Sequence, residues 1–448
     1  MLTAVRTFFR SLYLERRFFV AMGGVALLWV LGFFAPVLTA FAQVALWVLL
    51  VLVALDLLLL YRVRAGVRAH RLTPERLSNG DDNDLRIHVA NAYRFPLHAT
   101  LIDELPFQFQ VRDATYQLTV PSGMERTVQY TLRPTERGSY AFGALNVYAS
   151  TPLQLASRRY RFEEGAEVPV YPSFLQMRQY ELLAISNRLE EVGVKKIRRV
   201  GHTMEFDHVR DYVRGDDPRT INWKATARRG SLMTNQYRDE RAQPVYCVLD
   251  MGRVMKMPFE GLTLLDYSIN ASLVLSNIAL LKQDRAGLVT FSHQMGILLP
   301  AARKPGQIYR IQEALYNLET DFLESDYAML AAHLRRHLHR RGLLLLFTNF
   351  ETRSSMQRQL PYLRALAKQH VVVAVFFENT ELRALLDNTP RTTEAIYIKT
   401  IAEKFAFEKR EIVKDLSRHG IQSILTPPED LSVNTINKYL ELKARGMV

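Results

Sequence analysis

Three neighbouring acids, Asp211, Asp216 and Asp217, and a fourth at Asp250 are the residues of this sequence best equipped for acid–base or metal chemistry. General acid–base catalysis needs a second group whose pKa is pushed the opposite way, and no such group can be assigned beside them. A metal-dependent hydrolase using Asp250 with Asp216 or Asp217 is the enzymatic alternative to be weighed. His333 and His337 stand four apart on an expected helix, with His339 nearby, a spacing that suits a transition metal. Arg335, Arg336, Arg340 and Arg341 crowd the same segment, which favours a solvated basic face. The single cysteine, Cys247, lies in an apolar run and is expected to be a buried, inert thiol. The sequence contains no Walker A loop, dinucleotide glycine pattern or zinc spacing, so any nucleotide hydrolysis must come from another protein.

The densest grouping of uncommon residue types is Asp211–Arg228. Gly215 permits positive φ, Asp217 suits an N-cap and Pro218 suits the first helical position, so the spacing predicts a tight turn feeding a helix from Pro218 to Ala227. Asp216, Arg219 and Trp223 then either brace the turn or form a docking surface with Asp211, Tyr212, Asn222 and Lys224. Tyr212, Gly215, Asp216, Pro218, Arg219, Ile221, Asn222, Trp223 and Lys224 together resemble the signature of the domain of unknown function 58 family. The segment Arg137–Gly143 is similar to the β region that precedes that signature. The resemblance implies a bacterial protein working with a MoxR-type AAA+ ATPase, as an adaptor in assembly or maturation of envelope or metal-containing complexes.

These residues need a scaffold, and the chain of 448 residues is long enough for two or three domains. Phe18–Leu38 carries no charge and Val44–Tyr61 carries only Asp56, so each is long enough to cross a bilayer as a helix. Asp56 is expected near the cytoplasmic end or at a helix contact. Arg6, Arg10, Arg16 and Arg17 precede the first stretch, Arg62, Arg64, Arg68 and Arg71 follow the second, and the connection Thr39–Gln43 is uncharged. The positive-inside rule then places both flanks, and everything after Arg62, in the cytoplasm of a bacterial inner-membrane protein. Ala40-Phe41-Ala42 has signal-peptidase spacing, but the apolar runs on both sides argue for a retained anchor. The net charge of +13 is explained in part by these flanks, and the interleaved signs from Lys195 to Arg241 argue against a nucleic-acid stripe.

Residues 62–172 alternate apolar and polar in short runs punctuated by Pro and Gly, as in Leu85–Asn91, Thr127–Leu132, Leu145–Tyr148 and Val168–Tyr171, and read as a small β-sandwich-like domain. Residues 173–241 form a connector that carries the signature. In residues 242–448 strand-like runs (Val245–Leu249, Gly287–Phe291, Leu343–Phe347, Val371–Phe377, Ile421–Leu425) alternate with amphipathic helices, the pattern of a doubly wound α/β domain.

The order of elements, with Asp250 closing the first strand, looks like a von Willebrand factor A domain. That family holds a metal with an Asp-x-Ser-x-Ser loop, a threonine and a later aspartate. Here Gly252 and Val254 stand at the serine positions, Thr348 and Asn349 follow the later strand, and Thr320 or Asp321 falls in the threonine's loop. Neither Gly252 nor Val254 offers a side-chain oxygen, so no divalent metal and no cofactor is expected. The sequence thus points to a non-catalytic, membrane-anchored adaptor that binds proteins through the signature turn and through the sheet-end crevice around Asp250, Gly252, Thr348 and Asn349. Binding to anionic lipid or nucleic acid through the basic flanks is a further alternative.

Overall fold

The computed structural model describes residues 2–111, 114–162, 165–185, 205–213, 215–238, 242–380, 386 and 392–447. The basic run Lys195–Arg199 lies outside them. The chain is multi-domain and mixed α/β, divided into two compact units, Met1–Tyr171 and Pro172–Val448.

In the first unit, helices Arg16–Gly32 and Pro36–Tyr61 pack on each other. The break falls at residues 33–35, ahead of the expected connection Thr39–Gln43. Ala35 is extended (φ −143°, ψ 105°), as a residue before proline must be, and Pro36 opens the next helix. Thr39 lies inside that helix, its hydroxyl donating to Pro36 O at 2.6 Å. Phe19, Val20, Trp29, Phe41, Trp47 and Val51 are all exposed on this pair. Two helices among the described residues are long and apolar enough to cross a membrane, Pro36–Tyr61 and Leu264–Leu281. Burial separates them: 83% of the second is buried inside the protein, against 17% of the first.

Both ends of the helix pair join a β layer. Strand Leu12–Leu14, ahead of the pair, adds antiparallel to Ala156–Phe162 at the edge of a five-stranded sheet. Behind the pair, the last turn of Pro36–Tyr61 is held by the same strand, with Arg158 donating to the carbonyls of Leu60 at 2.9 Å and Val63 at 2.8 Å. Asp56 is fully buried there and accepts from Thr151 Oγ1, from Leu155 N at 3.1 Å and from Ala156 N at 2.8 Å. Inward residues of this sheet (Leu97, Leu101, Val147) and of the antiparallel strands Val67–Leu72, Asn83–Asn91 and Glu125–Leu132 (Val67, Ile87, Val89) share one core. Arg71, expected among the membrane-flanking arginines, instead lies buried in Val67–Leu72 and pairs with Asp103. The strand's alternation turns it inward, where that carboxylate supplies the charge partner.

In the second unit a six-stranded sheet runs Met295–Ala302, Arg285–Phe291, Pro244–Asp250, Leu343–Phe347, Val371–Phe377, Gln422–Thr426, parallel except for the first of these, an antiparallel edge. Alternate residues of Pro244–Asp250 enter two cores. Val245, Cys247 and Leu249 pack with helices Leu264–Leu281 and Leu431–Ala444, while Tyr246 and Val248 pack with Tyr327–His337, Arg353–Ala367 and Thr393–Arg418. Two covered faces explain why these strands are unbroken apolar runs. From Pro244–Asp250 the chain goes first to one neighbour and then to the other, which opens a crevice beyond its carboxyl end.

Replacing Asp56 by Leu removes the shared acceptor of one hydroxyl and two buried N–H groups. It is expected to destabilise the first unit by about 3 kcal/mol, seen as a lower Tm of the full chain in detergent.

Candidate functional site

The signature folds on an antiparallel hairpin, Glu205–Asp211 with Met233–Arg238. Gly215 adopts φ 120°, a conformation that favours glycine, and Asp217 caps a short turn Pro218–Thr220 by accepting from Arg219 N at 3.0 Å. The single helix expected over Pro218–Ala227 is split. Ile221 is extended and bridges Thr234, and Asn222 then caps a second helix, Trp223–Arg229, accepting from Ala225 N at 3.0 Å. Asn222 also donates to Asn235 Oδ1 at 2.8 Å. Asp216 accepts from Arg210 at 2.7 Å and from Val213 N at 3.0 Å, while Tyr212 donates to Asp216 O at 3.2 Å. The Val213 N–H, followed by Arg210, holds the Asp216 carboxyl below the ordinary range, the state of an ionised brace. Asp211 accepts from Ser231 at 3.4 Å.

The same segment has a second set of residues that the turn does not use. Trp223 is 69% exposed, and the side chains of Arg219 and Lys224 are exposed without a hydrogen bond or ion pair among the described residues.

At the sheet end, Asp250 is buried and its carboxylate gathers four donors: Gly252 N at 2.9 Å, Tyr327 Oη at 3.1 Å, Thr348 Oγ1 at 2.7 Å and Ser325 Oγ. Burial pushes the carboxyl pKa up, opposed by the bonds from Ser325, Thr348, Gly252 and Tyr327. Thr320 and Asp321, the expected occupants of this loop position, are not among the donors. Asp321 instead accepts from His293 at 3.0 Å and Leu323 N at 3.1 Å, and Ser325 reaches Asp250. Gly252 marks a close approach, since a Cβ there would lie 2.2 Å from Ser325 Oγ. Asn349 turns away from Asp250 and accepts from Lys409 Nζ at 2.8 Å. No hydrogen bond links Asp250 to Asp216 or Asp217 among the described residues.

Of the remaining candidates, burial pushes the Cys247 thiol up to about 11, the range of an unreactive group. His333 and His337 stack at 4.0 Å between ring centres, and among the described residues no three His, Cys, Asp or Glu are grouped to hold a metal.

Ser325, Tyr327 and Lys409 were not anticipated. Ser325 sits before the N-cap Asp326 and Tyr327 opens a helix, so both read as local structure. Lys409 did carry a signal: it occupies the apolar stripe Ala402, Phe405, Ile412, Leu416 at three- and four-residue spacing.

Most of the hairpin and five of the six strands of the sheet lie in a region whose sequence is shared with other proteins. Part of the chain matches a known family. Residues 208–388 match the family described as "Protein of unknown function DUF58", as the signature residues led one to expect. The "Uncharacterized protein YeaD" of Bacillus subtilis (strain 168) is 28% identical over 202 residues, 43% of this chain and 50% of that protein, so the match spans about half the relative's length. Among solved structures, the conserved hypothetical protein BatB from Bacteroides thetaiotaomicron is similar with a TM-score of 0.29 and 11% identity, over 46% of this chain and 100% of that one. The C-terminal domain of wzt is similar with a TM-score of 0.19 and 15% identity, over 24% of this chain and 74% of that one. Scores this low equate no folds, and the architecture above rests on this chain's own strand order. The DUF58 region holds the hairpin and the Asp250 cluster and stops short of the helix that carries Lys409.

Two outcomes follow for the cluster. Gly252→Ser is expected to cost about 1–3 kcal/mol through overpacking, with part of the loss recovered in the Gly252→Ser, Ser325→Gly double variant, both read from thermal unfolding. Because the folded pKa of Asp250 is raised above the ordinary value of about 3.9, its contribution to stability is greatest below that value and declines as pH rises through the folded pKa. Asp250→Asn, whose neighbouring hydroxyls can turn to accept, should flatten that part of the Tm-against-pH curve.

Proposed function

We propose that this chain is a membrane-tethered recognition protein with no catalytic step of its own, which presents its DUF58 region to protein partners, a MoxR-type AAA+ ATPase among them. The observation that carries the reading is the division of labour within the signature. Gly215, Asp216, Asp217 and Asn222 are consumed in building the turn, while Trp223, Arg219 and Lys224 are exposed and unused by it. An exposed tryptophan beside two cations is the composition of an interface anchor, since Trp and Arg dominate binding energy where they are desolvated by a partner.

The sheet end supports the non-catalytic reading. A strand-end aspartate followed by a long helix is the frame of a von Willebrand factor A-like site. In this chain Gly252 replaces a hydroxyl, a side chain at that position would strike Ser325, and the later strand runs into Thr348-Asn349 in place of an aspartate, Asn349 lacking a carboxylate's charge. Three hydroxyls and an N–H already engage the Asp250 carboxylate, so the cluster works as an internal clasp, and the hydrolase alternative loses the unengaged aspartate it requires.

The tether is the helix pair, read as two spans of a bacterial inner membrane. Leu12–Leu14 and the last turn of Pro36–Tyr61 are both fixed to strand Ala156–Phe162, so the chain enters and leaves the pair on one side. The arginines of both flanks support a cytoplasmic position for that side.

In the full chain, Arg219→Glu with Lys224→Glu, and separately Trp223→Ala, are expected to weaken co-purification with the ATPase by about tenfold or more while shifting stability by no more than about 0.5 kcal/mol. Asn222→Ala should do the reverse, costing about 1 kcal/mol through loss of a cap. Undiminished association in the first two variants would overturn the docking role. Protease applied outside intact spheroplasts should leave the second unit uncut.

A further inference from the structure

A cavity of about 990 Å³ opens at the carboxyl end of the sheet, between strand Val371–Phe377 and helix Thr393–Arg418. Its walls are largely apolar, with Met257, Phe259, Phe377, Phe405 and Leu425 among them. Lys409 reaches into it from the stripe of the helix that otherwise packs on the core, flanked along that stripe by buried Ala402 and Ile412. An ammonium has three N–H donors to place. Among the described residues one goes to Asn349 Oδ1 at 2.8 Å, and the charge lies 5.7 Å from the centre of the Phe376 ring. Among the described residues no carboxylate lies within ion-pair distance of it. Glu351 acts on it through space, and burial, the larger effect, pushes its pKa down to about 8. A cation in an apolar recess with a neutral amide as its hydrogen-bonding partner is costly unless an anion joins it.

We propose that this cavity is a binding site for a small monocarboxylate with an apolar body, the carboxylate pairing with Lys409 and Asn349 holding the ammonium in place. The volume is in the range of small-molecule sites, in which apolar walls give affinity and a few polar groups fix orientation. Glu351, Glu378 and Arg410 share the cavity with Lys409, so two acids and two cations balance in the lining, and one carboxylate placed at Lys409 matches the single ammonium that reaches in. Lys409 lies beyond the DUF58 match while much of the lining lies within it, and the site shares no residue with the signature turn, so it does not depend on the docking role of the signature.

The test uses the purified full chain in nanodiscs, with phenylbutyrate as the probe and phenylbutanol as its uncharged counterpart. Trace acetylation of individual lysines is followed by mass spectrometry at neutral pH, with the exposed Lys404 as internal reference. Phenylbutyrate is expected to slow acetylation of Lys409 by about tenfold and leave Lys404 unchanged, and phenylbutanol to leave both unchanged. In a second measurement, saturation transfer from the protein to phenylbutyrate should be lost in Lys409→Met and retained in Lys404→Met. Equal protection by the alcohol, no protection by the acid, or full transfer in Lys409→Met overturns the proposal.

Discussion

A carboxylate removed from water must be given donors, and among the described residues Asp56, Asp103, Asp250 and Asp284 each meet that requirement by joining distant segments. Asp56 ties the end of an apolar helix to the turn before Ala156–Phe162. Asp103 is held by Arg71 at 3.0 Å and Tyr130 at 2.5 Å inside the β core. Asp250 draws the ends of two parallel strands and the start of helix Tyr327–His337 together, and Asp284 binds Tyr439 at 2.5 Å and Lys443 at 2.7 Å of the last helix. Apolar burial supplies most of the driving force for each unit but is indifferent to small slips of one element past another. A buried carboxylate is not indifferent, because a shift that breaks its bonds leaves charge or donors stranded. These four residues therefore set register where the apolar cores alone would tolerate alternatives.

The legible parts of the sequence were those in which one physical effect dominates. Leu343–Phe347 and Val371–Phe377 were placed to the residue because strands covered on both faces have no reason to interrupt their apolar runs. Gly215 and Asp217 were legible because positive φ and N-capping are local. The missed elements are those in which charge obscures a pattern. Ala156–Phe162 contains Arg158, Arg159 and Arg161, and Val67–Leu72 contains Arg68, His70 and Arg71, so neither looks like a strand until its partners are known. Met295–Ala302 is interrupted by Gly296 and Pro300, which an edge strand can carry. The split of the signature helix was invisible for another reason: Thr234, which pulls Ile221 into a bridge, lies on the returning strand.

The candidate site was legible in the same uneven way. Asp250, Gly252, Thr348 and Asn349 were found because strand ends point to a crevice, but their roles depend on contacts across the loop that spacing does not reveal. Thr348 and Asn349 are adjacent in sequence and face different partners, Asp250 in one case and Lys409 in the other. The Asp250 clasp and the Lys409 cavity thus share a strand end while using separate chemistry.

Strand Leu12–Leu14 lies ahead of the apolar helices in the chain and completes a sheet whose other members all follow them. The β layer is consequently moored at two points of one strand's neighbourhood, one on each side of the helix pair. A domain on a single linker can swivel about it, whereas two moorings remove that rotation and fix which edge of the layer meets the helix pair. They also set an order of assembly: the edge cannot close until the chain has returned from the helix pair and Ala156–Phe162 has been made.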